Sequence, residues 1–140
     1  MIRVVVAGHG NLASDIITTA ERTLGKQEYL EAISVRFGEA ENDLRNKLSV
    51  VLEMAEDDDV IVLSDIFGSS FSKGCISLAR DKGHVAVVTG VNLPMVLKVL
   101  TYRDRVGLIE LVSLACESGR EGIRDACRLL DEERGARGET

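Results

Sequence analysis

The run Arg3-Val4-Val5-Val6-Ala7-Gly8-His9-Gly10-Asn11 reads as a strand that stops at a glycine-flanked turn and hands over to a helix. Four consecutive apolar residues without alternation are the pattern of a strand covered on both faces. The helix that follows repeats Leu12, Ile16, Ala20 and Leu24 four apart, and Gly25 supplies its stop. The same strand-then-helix unit recurs down the chain. A second strand is expected at residues 32–37, then a helix through Leu44, Leu48, Val51, Leu52 and Ala55 that runs out into the wet turn Asp57-Asp58-Asp59. A third strand at residues 60–64 leads through a polar Gly/Ser loop into a helix carrying Cys75, Ile76, Leu78 and Ala79, which ends near Gly83. A fourth strand at residues 85–89 is followed by Gly90-Val91-Asn92-Leu93-Pro94, with Pro94 in the first turn of a fourth helix. A fifth helix spans about residues 108–117 and stops at Gly119.

Strand starts recur roughly every 25–30 residues, the length of a βαβ unit, so the sheet should be parallel with right-handed crossovers. This is an open α/β fold with helices on both faces. Strands one, three and four are apolar throughout, whereas the second sets Ile33, Val35 and Phe37 on one side and Ser34 and Arg36 on the other. An alternating strand belongs at an edge, which gives the order 2-1-3-4. The fourth strand then lies at the opposite edge while reading as buried, and such an edge needs a cover. Residues 122–129 could supply it as a further strand, from the same subunit or a partner. Ile123, Ala126, Cys127 and Leu130 fit helical spacing equally well.

The composition bounds the function. The chain has 140 residues, 45% of them apolar and 29% charged, which suits one soluble domain over residues 1–130 and a charged, frayed tail over residues 131–140. A net charge of −6 argues against nucleic-acid or anionic-membrane partners. No apolar run approaches the ~20 residues that span a bilayer, and the amino-terminal one is too short for a signal peptide. Cys75, Cys116 and Cys127 have no metal-ligand spacing and read as reduced core thiols in a cytoplasmic protein; Met54 and Met95 read as packing, and His84 as structural.

In open α/β sheets ligands bind beyond the carboxyl ends of strands, where the strand order reverses. In the order 2-1-3-4 that point lies between strands one and three, so topology alone brings His9 and Asp65 together. A carboxylate on one ring nitrogen fixes the tautomer and leaves the other nitrogen with a lone pair, fit for a nucleophile or a base. Gly68, Ser69 and Ser70 lead into the third helix, and free N–H groups at a helix start suit phosphate. Each feature also has a plainer reading, as a solvated loop histidine, a helix cap and a turn.

These residues resemble the mannose-family IIA domain of the bacterial phosphoenolpyruvate-dependent sugar phosphotransferase system. The matching pieces, in the family's order and spacing over about residues 1–130, are Val5-Val6-Ala7-Gly8-His9-Gly10-Asn11, Val62-Leu63-Ser64-Asp65-Ile66-Phe67-Gly68, Gly90-Val91-Asn92-Leu93-Pro94-Met95 and Glu117-Ser118-Gly119-Arg120-Glu121-Gly122. The resemblance implies a phosphohistidine at His9 oriented by Asp65, with backbone groups at Gly68, Ser69 and Ser70 cradling the phosphate. It implies no cofactor and no metal. It further implies a phosphoryl donor in the histidine-containing phosphocarrier protein, an acceptor in a IIB component, and a homodimer that exchanges a carboxyl-terminal antiparallel strand. The family's usual Gly-Gly-Ser-Pro is replaced by Gly68-Ser69-Ser70-Phe71, and Lys73 stands where an amide is common. The alternatives are the phosphotransferase subunit of a dihydroxyacetone kinase, a small metal chelatase and a non-catalytic regulatory α/β module.

Overall fold

The computed structural model describes residues 1–38, 41–65 and 70–138 of the chain. In chain order the elements are β1 (Arg3–His9), α1 (Leu12–Leu24), β2 (Leu30–Val35), α2 (Glu41–Ala55), β3 (Val60–Ser64), α3 (Ser70–Asp81), β4 (Val85–Thr89), α4 (Leu93–Tyr102), α5 (Leu108–Glu121) and α6 (Ala126–Ala136). The four strands form one parallel sheet in the order β2-β1-β3-β4. No helix among the described residues is long and apolar enough to cross a membrane.

The pleat sorts the apolar residues of each strand onto two faces. Val4, Val6, Ile61, Leu63 and Val88 join α1, α4 and α5 in one core. Val5, Ala7, Val60, Val62, Val85, Ile33 and Val35 join α2 and α3 in the other. Val4 to Ala7 and Val60 to Leu63 are fully buried, as unbroken apolar runs require when helices cover both faces. Each Val, Ile and Leu among them contributes roughly 1.5–3 kcal/mol by leaving water. In β2 only Ile33 and Val35 are buried, which is the alternation of an edge strand.

Several boundaries differ from the sequence expectation. β2 covers Leu30–Val35 rather than residues 32–37, so Phe37 lies past the strand, before Gly38 at φ 79°, and is 85% exposed. The inward stripe of α1 is Ala13, Ile16, Ile17 and Ala20, while Leu12 and Leu24 at its ends reach solvent. Met95 is buried, but Met54 is exposed. Cys116 packs against the first core, whereas Cys127 is exposed on α6, so only the former has the expected packing role. The side chain of Cys75 lies outside what the structure describes.

The carboxyl-terminal antiparallel strand is absent among the described residues. Residues 123–125 form a short link, and α6 follows, carrying residues 131–136 of the supposed tail with it. The local chemistry favours a helix. Asp125 caps it by accepting from the Arg128 N–H at 3.1 Å, and Arg128 pairs with Glu132 one turn on.

α5 also outruns expectation, passing through Gly119 to end at Gly122. Both glycines face α4. Asn92 caps α4 by accepting from the Met95 N–H at 3.0 Å and donates its amide to the Gly119 carbonyl at 2.8 Å. The Ser118 hydroxyl donates to the Pro94 carbonyl. The third and fourth motifs therefore clasp one another. A Cβ on Gly122 would stand 2.6 Å from Pro94 Cγ, a rigid ring, whereas one on Gly119 would press on the mobile end of Met95.

A second brace closes the amino end of the sheet. Arg103 is buried and donates to the carbonyls of Tyr29 and Glu28 and to Gln27 Oε1. It thereby holds the turn in which Tyr29 takes φ 52°, a left-handed conformation that non-glycine residues seldom adopt. Burial lowers the guanidinium pKa from its ordinary value, and Asp104 and Glu28 oppose that shift.

Gly122→Ala should lose about 1–3 kcal/mol of unfolding free energy by overpacking, and Gly119→Ala less, in paired denaturant titrations. Arg103→Met should lose about 1–3 kcal/mol by removing its hydrogen bonds to the partly buried Glu28 and Tyr29 carbonyls and Gln27 Oε1, read the same way.

Candidate functional site

The site follows from the register of the two central strands. Arg3 pairs with Val60 and Ala7 with Ser64, and the Asp65 N–H extends that ladder by donating to the Ala7 carbonyl at 3.2 Å. One residue beyond Ser64 is thus set beside the residue two beyond Ala7. α1 leaves β1 toward one face of the sheet, and α3 leaves β3 toward the other. His9 and Asp65 stand where they part, the position at which open α/β sheets take ligands.

His9 is the last residue of β1, paired with Val35, rather than a loop residue. One carboxylate oxygen, Asp65 Oδ2, lies 2.8 Å from the His9 backbone nitrogen and 2.8 Å from His9 Nδ1. A carboxylate only accepts, so Nδ1 directs a hydrogen at it, and in the neutral ring the lone pair lies on Nε2. Nε2 makes no hydrogen bond among the described residues. The side chains of His9 and Asp65 are 21% and 13% exposed, dry enough to strengthen the pairing and open enough for the ring to meet a partner.

The turn after His9 is pinned by groups that carry no chemistry of their own. Gly10 takes φ 61°, donates its N–H to the Val35 carbonyl and accepts from the Ser34 hydroxyl at 2.7 Å. Gly8 is crossed by Leu12, whose side chain would lie 3.1 Å from a Cβ there, so α1 starts directly on the strand end. Ser34 has no sequence signal beyond its place on the outward face of β2. The ring of Phe37 lies with its centroid 5.1 Å from that of His9, tilted by 34°. The Phe37-Gly38 pair at a strand end was the available hint, since glycine there marks a turn.

Of the anticipated phosphate cradle, Gly68 and Ser69 lie outside the described residues, and Ser70 is the first residue of α3. Lys73 is exposed in the first turn of that helix. His84 sits at the amino end of β4, where its carbonyl accepts from the Val60 N–H, remote from His9 along the sheet. A concavity of about 690 Å³ also opens at that amino end, lined by Asp57, Asp58, Asp59, Asp104 and Arg103, whose guanidinium is already engaged.

The chain is similar to known proteins in both sequence and fold. Residues 3–115 match the family model EIIA-man, described as PTS system fructose IIA component. The PTS system mannose-specific EIIAB component of Escherichia coli (strain K12) is 36% identical over 125 residues, covering 88% of this chain and 39% of that protein. The chain thus spans well under half the length of that relative. The PTS system fructose-specific EIIA component of Bacillus subtilis (strain 168) is 29% identical over 114 residues, covering 81% of this chain and 78% of that protein. Among solved structures, the phosphotransferase system component EIIA from Streptococcus agalactiae superposes with a TM-score of 0.84 at 27% identity, over 91% of this chain and 99% of that one. Sequence and fold agree, and the chain belongs to the EIIA-man family.

Proposed function

We propose that His9 is the phosphoryl acceptor of this chain, charged by the histidine-containing phosphocarrier protein and discharged to a IIB component on the path of sugar uptake in the cytoplasm. The observation that carries the reading is the double engagement of Asp65 Oδ2 by the His9 backbone nitrogen and Nδ1, both at 2.8 Å, which leaves Nε2 as the only nucleophilic nitrogen of the ring. Family membership supports the same assignment.

The chemistry is a displacement at phosphorus. The Nε2 lone pair forms a nitrogen–phosphorus bond while the bond to the donor imidazole breaks, and that electron pair returns to the donor nitrogen. The His9 ring then carries a positive charge with its hydrogen still on Nδ1, against the Asp65 carboxylate. Both ends of the exchange are phosphoramidates, so the step is nearly balanced and what the protein supplies is chiefly orientation. In a loose, in-line transition state the charge spreads over three equatorial oxygens. Backbone N–H groups at Gly68, Ser69 and Ser70, leading into α3, are assigned to those oxygens. Discharge is the same step in reverse with a second protein.

A homodimer belongs to this reading. β4 is an edge strand whose Ala86 and Val87 stay half-exposed, Ile123 is 79% exposed, and α6 buries none of its residues. These features support association of two copies along that edge.

With phosphoenolpyruvate, the phosphotransferase kinase and the phosphocarrier, wild type should gain one acid-labile phosphoryl group and His9→Ala none, by intact-mass measurement. Phosphohistidine on His9→Ala would overturn the assignment. Asp65→Ala should stay folded and be charged more slowly by on the order of 10²–10⁴-fold, and Asp65→Asn should be impaired too, because a neutral amide cannot balance the ring charge and can hold the wrong tautomer. Sedimentation equilibrium should return twice the 15.2 kDa chain mass; a monomer at all accessible concentrations would remove the dimer from the reading.

A further inference from the structure

We infer that Phe37 is the apolar anchor on which the phosphoryl-carrying protein seats itself against His9, an inference that rests on His9 being the acceptor. Phe37 is a large aromatic side chain left 85% exposed. Single exposed apolar residues are ordinary on protein surfaces, and Ile109 at 88% and Met54 at 61% are other examples here. Phe37 differs from them in where it stands. β2 ends at Val35, Gly38 turns the chain at φ 79°, and the ring of Phe37 reaches back to lie 5.1 Å from the His9 imidazole. Leu12, 40% exposed at the start of α1 and three residues after His9, adds a second apolar side chain close by in the sequence.

The reaction decides what must cover this ring. A phosphoryl group passes between two imidazoles only when nitrogen and phosphorus come within about 3–3.5 Å in line. The donor's histidine, and the protein surface that bears it, therefore arrive within the span of one phosphoryl group of His9 Nε2. A ring standing beside the imidazole and open to water over most of its surface lies inside that contact. The occupant is thus a protein presenting a phosphohistidine among apolar side chains. Aromatic residues near the centre of an interface, next to groups that must be dried, are where binding energy concentrates. Covering Phe37 also excludes water from the phosphoramidate beside it, which suppresses hydrolysis in transit.

The fold gives Phe37 little to do otherwise, because so exposed a side chain contributes little to the core. The test is single-turnover transfer from the phosphorylated histidine-containing phosphocarrier protein to this chain, followed against donor concentration for wild type, Phe37→Ala and Phe37→Leu. Phe37→Ala should raise the half-saturating donor concentration about tenfold while the rate at saturation changes by less than about threefold, and Phe37→Leu should recover most of the loss. An unchanged half-saturating concentration, or a loss confined to the saturating rate, would overturn the inference and leave the relay reading standing. Wild type that accepts no phosphoryl group from this donor would remove the relay reading and this inference with it.

Discussion

One oxygen of Asp65 accepts from both the backbone and the ring of His9, and the rest of the site depends on that contact. It does two physical jobs at once. By binding the backbone N–H it closes the carboxyl ends of β1 and β3 against each other, as a further rung of the ladder. By binding Nδ1 it selects the tautomer and aims Nε2 outward. A shift of one residue in the pairing of β1 with β3 would turn one of the two side chains to the wrong face of the sheet, because the pleat alternates. The paired residues Val4 to Ala7 and Val60 to Leu63 are fully buried, so that register is packed against helices on both faces.

The remainder of the molecule supports this point from a distance. The Val91 N–H donates to the Ser64 carbonyl, so the turn before α4 is tied to the residue next to Asp65. Asn92 then links α4 to α5 through Gly119, and Gly122 lets the end of α5 lie against Pro94. At the other end of the sheet Arg103 fastens the turn that starts β2. A side chain carried on strand ends and backed by such braces is held more closely than one on a free loop. For the transfer proposed at His9, where orientation is most of what a protein can add, that rigidity is the relevant property.

The surroundings of His9 complement this rigidity. The imidazole and its carboxylate are mostly covered, but Gly10, Asn11 and Phe37 around them are exposed. Such an arrangement suits a relay whose substrate is a group mounted on another protein, since the partner itself completes the drying of the site.

Much of this was legible in the chain itself. Unbroken apolar runs against one alternating strand predicted the order β2-β1-β3-β4, because strands covered on both faces and strands covered on one differ in composition. The reversal of strand order between β1 and β3 then sets His9 beside Asp65 on topology alone. Periodicity could not decide between strand and helix for residues 122–129, and a capping Asp125 with an Arg128–Glu132 pair settled it for α6. The ends of elements were the weakest part, and Phe37 shows why. Alternation assigned it to the inner face of β2 with Ile33 and Val35, but the strand stops at Val35 and the ring turns to His9. Arg103 and Ser34 gave no signal because their partners, 74 and 24 residues away in sequence, become neighbours only on folding. The pattern of burial along each strand is written locally, in single side chains and their period. Contacts between the ends of different elements are set by packing, and only the tertiary structure decides them.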